Sequence, residues 1–386
     1  MTDSRPRPQI PTYRATNTVL AMFLGRLGSL NSVEQLNASP ALRAFVGGDL
    51  PSADSLGRIM NLCFPSTIRK VLHHLYSTLK ANKALAAPSH GMIALALDGH
   101  ESHCSYKMHC SGCLARRKVV NGEEIIQYYH RNVTAQLVFQ DFRFLLDSEP
   151  QLPGEGEISC ALRLLDRVLQ EYPRAFHVVV MDGLYARSNV FNKIIEHGKE
   201  ALAVLKDHRR DLLIVSDADF RKRAPDAVFK INQTEYQCWE RTDEESWNQV
   251  DKGVRVVRSV ESAPVKASGP TTAPVAPQTS SWTWVTTLMP EAASIQTIAQ
   301  VGHSRWSIEN EGFNELGNHW HADHVYKHGA VAIQNFWLMA MVACNLFRAF
   351  YLRNLKLVAR AGKTMLHFAR MITAELYVNS TSDRPP

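Results

Sequence analysis

RAFHVVVMDGLYA, residues 174–186, is an apolar run that stops at an Asp-Gly pair. An unbroken apolar run of this length, without polar alternation, reads as a strand buried on both faces. MIALALDG, residues 92–99, has the same form and also stops at Asp-Gly. Two buried strands that each end in a carboxylate, Asp98 and Asp182, place both acids at strand carboxyl ends. That is the edge where an open α/β sheet keeps its chemistry.

The surrounding segments agree with such a sheet. EEIIQYYHRNVTAQLVFQ (123–140) and FRFLLDSE (142–149) carry the branched and aromatic residues of strands. EISCALRLLDRVLQEY (157–172) has a helical period, and SNVFNKIIEHGK (188–199) reads as a helix with a Ser cap and a Gly stop. EALAVLKDH (200–208) is a further short strand. Strands first, then helix, strand, helix and strand, predict an α/β fold with a mixed sheet.

Upstream, residues 12–30 and 52–83 space their apolar residues by three and four, so residues 1–88 are expected to be helical. Arg69, Lys70, Lys80 and Lys83 lie among them, either as solvated faces or as part of a DNA-binding region. Downstream, AVFKINQTEYQCWERT (227–242), GVRVVRSVES (253–262) and SWTWVTTL (281–288) alternate like antiparallel strands. Residues 262–281 are rich in Pro, Ala, Ser and Thr and are expected to be a mobile loop. The expected organisation is a helical region 1–88, a first core segment 89–208, a β-rich insertion 209–292 and a helical completion 293–375.

Bulk properties narrow the class. The chain has 386 residues, 45% hydrophobic and 21% charged, which suits a soluble globular protein of two or three units. A net charge of +6 and a pI near 8.9 permit a polyanionic partner without requiring one. Seven cysteines in a chain of this length, after a start (MTDSRPRPQIP) with no apolar core, point to a reducing cytoplasm. The apolar run 332–352 contains Asn335, Asn345 and Arg348, so it is expected as a buried helix, with no membrane partner.

HSRWSIENEGFNELGNHW, residues 303–320, spaces Trp306, Phe313 and Trp320 by seven, as on one face of a helix. Arg305 and Glu309 are four apart, a helix ion-pair spacing. Glu309 with Asp98 and Asp182 makes a set of three acids with hard oxygen donors for Mg2+ or Mn2+. Taken singly, a strand-end Asp is more often a turn residue or a helix cap.

In order along the chain, ALDGHE (96–101), VVMDGLYAR (179–187) and RWSIENEGFNEL (305–316) resemble the three catalytic blocks of the DDE transposases of bacterial insertion sequences. The resemblance covers roughly residues 90–350 and is closest to the cut-and-paste group with an RNase H-like core and a β insertion before the third acid. The separation of 127 positions from Asp182 to Glu309 leaves room for that insertion.

The resemblance implies an enzyme in which Asp98, Asp182 and Glu309 are catalytic and hold two Mg2+ or Mn2+ ions. It implies DNA contacts from Arg305, Tyr185, Lys206 and Asn310, with Arg305 alternatively bracing Glu309. The implied partners are double-stranded DNA, as terminal inverted repeats and target, and a second copy of the chain, in a bacterial cytoplasm on the nucleoid. The alternatives are a catalytically silent DNA-binding protein of transposase descent and a nuclease of the same core without strand transfer. Where the family pattern has a Tyr before the Arg and a Lys after the Glu, this sequence has Gly302 and Gly317.

HCSYKMHCSGCLARR (103–117) holds a C-x-x-C pair, Cys110 and Cys113, which suits tetrahedral Zn2+ if two more ligands arrive. Cys104 and His109 are candidates for completing that set, with His103 and His130 as alternatives, against a reading as reduced thiols. His319, His321 and His324 read as polar residues packing after the third block. Arg348, Arg353, Lys356, Arg360, Lys363 and Arg370 fall at helical spacing as a basic stripe, either solvated or facing phosphate.

Overall fold

The computed structural model describes residues 1–206, 210–243, 246–264 and 277–381. The fold is α/β, with a mixed ten-stranded sheet and helices flanking it. The chain divides into two units: Met1–Ala86 with Gly99–Leu164 and Ile308–Pro386, and Ala87–Asp98 with Leu165–Ser307.

The second unit carries the apolar parts of the two strands that lead to Asp98 and Asp182. Strand β1 spans Ala94–Ser105, and the helical region before it holds α1 (Thr12–Leu24), α2 (Leu30–Glu34), α3 (Pro40–Val46), α4 (Ala53–Leu62) and α5 (Pro65–Ala81). After β1 come β2 (Leu114–Val120), β3 (Glu123–Val138), β4 (Arg143–Pro150), α6 (Glu157–Glu171), β5 (Val178–Met181), α7 (Ser188–Glu196) and β6 (Glu200–Val204). Ala94–Leu97 of β1 and all of β5 are buried, and the two strands run parallel. β5 pairs parallel with β6 on its other side. Strands covered on both faces need no polar alternation, which is why the sequence there reads as continuous apolar runs.

The expected insertion extends this sheet. It consists of α8 (Arg210–Phe220), β7 (Ala227–Ile231), β8 (Thr234–Asp243), β9 (Val254–Ala263) and β10 (Gln278–Thr286). β10 lies antiparallel between β6 and β9, and β8 and β7 follow outward. Helix α8 precedes the strands of the segment 209–292 that is expected to be β-rich. The expected loop 262–281 is narrower than its composition suggests, because Ser262 and Ala263 pair with Thr279 and Gln278. Its centre, 265–276, lies outside the described residues.

The other unit is built around α11 (Ala330–Ala349), a helix apolar on nearly every face. Ala330–Asn354 is long and apolar enough to cross a membrane, but 78% of its most apolar window is buried. Helices α1, α4 and α5 and strand β4 pack on α11, so the N-terminal helices share one unit with it. Two of its asparagines satisfy backbone that would otherwise be buried unpaired. Asn335 Nδ2 donates to the carbonyls of Met60 and Cys63, at 2.7 and 2.9 Å. Asn345 accepts from Leu145 N at 3.0 Å and donates to Leu145 O at 2.8 Å. Leu145 presents those groups because the β3–β4 register jumps there: Ala135 faces Asp147, but Gln136 faces Leu145. Arg69 of α5 anchors to the same strand, reaching Asp147 at 2.9 Å and the Ser148 carbonyl at 2.8 Å.

Candidate active site

Leu97 of β1 and Met181 of β5 are register partners, so Asp98 and Asp182 follow side by side on neighbouring parallel strands. Adjacent strands lie about 4.8 Å apart. Two carboxylates at that spacing repel unless positive charge lies between or beside them. Each has a cation. Arg305 Nη1 donates to Asp98 Oδ2 at 2.8 Å, with both side chains largely buried. Lys206 Nζ donates to Asp182 Oδ1 at 3.0 Å. Asp182 also accepts from the Gly183 amide and so caps a short 3-10 turn, Gly183–Tyr185. Burial pushes the Asp182 carboxyl up. Lys206, the Gly183 N–H and the Arg305 charge outweigh that effect, and its pKa falls below the ordinary carboxylate value.

The two acids differ in one respect from the expectation. β5 ends at Met181, so Asp182 does close its strand. β1 runs on through Asp98 to Ser105. Asp98 therefore sits within a strand, and the Gly99 that follows is not a turn glycine: a Cβ there would lie 2.5 Å from the Glu157 carboxylate. Gly183 also answers to close approach, since a Cβ would meet Lys206 Cδ at 2.9 Å and the Val204 carbonyl at 3.0 Å. Its absence lets Lys206 reach Asp182.

Arg305 is delivered by α9 (Ile295–Ser304), whose N-terminus is capped by Ser294 accepting from Thr297 N at 3.2 Å. Inside its last turn, Gly302 lies against the buried indole of Trp284, where a Cβ would come within 2.6 Å of the ring. His303 Nε2 bonds Glu261 Oε1 at 2.6 Å and packs against Trp282, Trp284 and Trp306. The place where the family pattern has Tyr is thus filled by Trp284 from the sheet.

The third block is not one regular helix. After Arg305 the chain forms a π-helical stretch, Ile308–Phe313, and then α10 (Asn314–Trp320). Extra residues in the turn shift the side chains, so the seven-residue spacing of Trp306, Phe313 and Trp320 no longer defines one face. Trp306 packs on Trp282, Phe313 on His100 and Trp337, and Trp320 on Phe347. Ile308, Gly312 and Phe313 are buried, while Glu309, Asn310 and Glu311 are exposed. Glu311 is tied to Arg143 at 3.2 Å.

A match to the family described as Transposase DDE domain covers residues 123–346, more than half of the chain. The chain belongs to that family. No curated protein matches it. The matched range takes in Asp182 and Glu309 and begins after Asp98. The protein is therefore a DDE transposase of insertion-sequence type, with the mixed sheet of an RNase H-like fold. It acts on DNA, and transposases of this class work with divalent metal ions.

Two of the expected site residues, Arg305 and Lys206, are engaged with the paired acids. Arg305 is 7% exposed and donates to Asp98. Tyr185 is fully buried. Lys206 is exposed but engaged with Asp182, and Asn310 is exposed. At Gly317 a Cβ would lie 2.5 Å from Asp323 Oδ2, and Asp323 Oδ1 bonds His100 Nε2 at 3.0 Å, so a lysine there would displace that contact. The basic stripe is broken up. Arg348 is buried against the carbonyls of Arg143 and Glu311, Arg353 pairs with Asp141 at 2.8 Å, and α11 gives way to a π-helical turn, Phe350–Asn354.

The cysteine cluster is composed differently from its expected set. Cys110 and Cys113 meet His130 and His328, not Cys104 and His109. Cys104 is exposed and accepts from Gln127 Nε2 at 3.3 Å, while His109 stacks on Tyr128. His328 lies 215 residues beyond Cys113, and no local spacing in the sequence marks it as a partner.

Proposed function

We propose that this transposase cuts DNA at the ends of its own mobile element and transfers the freed 3′ end to target DNA. In this reading Asp98, Asp182 and Glu309 hold two Mg2+ or Mn2+ ions. The observation that carries it is the pair of buried parallel strands bringing two carboxylates abreast, each balanced by a cation. Hard oxygen donors already drawing positive charge fit a divalent ion of this kind. Ions bound there would supply an activated water and neutralise charge on the leaving oxygen of a phosphodiester.

The chain's own residues do the positioning. The Arg305 guanidinium donates to Asp98 Oδ2 and orients its carboxylate. Lys206 and the Gly183 amide lower the Asp182 pKa against the effect of burial. Glu309 is assigned as the third acid by its place four residues after Arg305 and its exposure on the π-helical stretch, a distortion frequent at functional sites. Asn310 and Lys206 are the proposed DNA contacts. The working unit is a dimer on paired element ends, in the cytoplasm on the nucleoid.

The test is cleavage of a duplex carrying the inverted repeats that flank the coding region. Wild-type protein in Mg2+ should release the 3′ end and produce joined product. Asp98→Asn, Asp182→Asn and Glu309→Gln should each slow cleavage by at least about a hundredfold. Wild-type rates from Asp98→Asn would overturn the assignment. Binding without nicking would mark a silent DNA-binding protein, and cleavage without joining a nuclease.

A further inference from the structure

The four side chains Cys110, Cys113, His130 and His328 bring one ligand atom each within 4.8 Å of all the others. They come from three places in one unit. The cysteines are in the loop between β1 and β2, His130 is on β3, and His328 immediately precedes Gly329, the N-cap of α11. The spacings are those of a coordination sphere. Around a tetrahedral zinc, bond lengths of about 2.3 Å to sulfur and 2.05 Å to nitrogen set edges of about 3.8 Å between sulfurs and about 3.6 Å between sulfur and nitrogen. Here the two Sγ atoms are 3.8 Å apart. His130 Nε2 is 3.4 and 3.2 Å from the two sulfurs, and His328 Nε2 is 3.5 Å from Cys113 Sγ. A disulfide would need the sulfurs near 2.05 Å.

Two independent features of the loop fit the same reading. The Cys110 amide donates to Cys113 Sγ at 3.2 Å and the Cys113 amide to the Cys110 carbonyl at 3.1 Å, a turn that supports a thiolate with a backbone donor. Between the cysteines, Gly112 presses on the start of α11: a Cβ would lie 2.6 Å from the Ala330 Cβ and 3.4 Å from His130 Cε1. The loop is thus seated on the helix that His328 leads into. His103 stacks on His130 with ring centroids 4.9 Å apart and limits its rotation.

We infer that Cys110, Cys113, His130 and His328 form a structural Zn2+ site that staples the loop after β1, strand β3 and the N-terminus of the core helix α11 to one another. Two thiolates and two imidazoles in tetrahedral array select zinc over the hard ions of the acidic site, and four protein ligands leave no open position for chemistry. The site is independent of the catalytic reading.

Full-length protein produced in zinc-supplemented medium and freed of loose metal should carry one zinc per chain by mass spectrometry of the metal. An Asp98→Asn, Asp182→Asn double variant should carry as much. His328→Ala and Cys113→Ser should lose it, His328→Cys should keep it, and Cys104→Ser and His109→Ala should be unaffected. Should the losing variants fail to fold, wild-type protein still decides. Cobalt exchanged into it should show the visible absorption of tetrahedral thiolate-bound Co2+. Alkylation of Cys110 and Cys113 should rise by about an order of magnitude or more when a chelator strips the metal. A metal-free wild-type protein, or alkylation at the same rate with and without chelator, overturns the site.

Discussion

Gly302 is where packing and the family pattern conflict most directly, and substituting it gives a measurable answer. A Cβ on Gly302 would lie 2.6 Å from Trp284 Cε2 and 2.7 Å from Nε1. Ordinary carbon contacts begin near about 3.5 Å, so the indole would have to retreat by about 1 Å. It has little room: Trp284 is 1% exposed, on a strand paired on both sides. Overpacking of this kind costs about 1–3 kcal/mol. Alanine returns up to about 1 kcal/mol of helix propensity over glycine, less in a final turn. Gly302→Ala should therefore destabilise by about 1–2 kcal/mol, read as a lower urea midpoint at unchanged slope. Gly302→Tyr, which restores the residue of the family pattern, should cost about 3 kcal/mol or more and weaken metal-dependent cleavage, because Arg305 follows three residues later. Trp284→Ala should make room for that tyrosine, and the double variant should recover roughly 2 kcal/mol relative to the sum of the single changes. If Gly302→Ala is as stable as wild type or more so, helix propensity alone governs the position and the packing argument fails.

Two further changes test the frame around the site. Asn345→Leu keeps the bulk of the side chain but leaves Leu145 N–H and C=O buried without their partner, which should cost roughly 2–5 kcal/mol in denaturant unfolding; a loss under about 1 kcal/mol would show that Asn345 does not complete the irregular β3–β4 edge. Asp3 accepts hydrogen bonds from the Arg5 side chain, which chiefly hold its pKa down to about 2 against burial, with Thr12 and the Arg5 amide adding to the shift. A depressed carboxyl stabilises at pH above its ordinary value near 3.8 and loses that contribution as pH falls through about 2. Asp3→Asn should be less stable at neutral pH, and the difference from wild type should close between those two values; parallel stability curves across that range would refute the pairing.

The parts legible in sequence are those where one physical constraint governs a contiguous stretch. Ala94–Leu97 and Val178–Met181 are covered on both faces, so burial alone spells them out as apolar runs and puts Asp98 and Asp182 at the same level. Helix α8 is not legible in the sequence because Arg210–Phe220 lies inside a segment whose neighbours alternate like strands. The continuation of β1 past Asp98 was hidden because Asp-Gly signals a turn, whereas Gly99 is dictated by the Glu157 carboxylate. The partners of Arg305 and Lys206 and the fourth ligand of the cysteine cluster are choices made across long sequence separations. No period or spacing records those.

The third block shows how far a helical reading can be right about residues and wrong about geometry. A regular helix over 303–320 would present one aromatic face and scatter its acids by 100° steps. The chain instead inserts the π-helical stretch Ile308–Phe313, where Gly312 lies so close to β3 that a Cβ would meet Gln136 Oε1 at 2.9 Å. That seat forces Ile308, Gly312 and Phe313 inward and leaves Glu309, Asn310 and Glu311 consecutive at the surface. Of the two exposed acids, Glu311 is paired with Arg143, and its carbonyl accepts from the buried Arg348. Glu311 is thereby accounted for by structure alone. Glu309 lies exposed on the same π-helical stretch, and such a distortion of regular helix geometry is frequent where the placing of a side chain serves function.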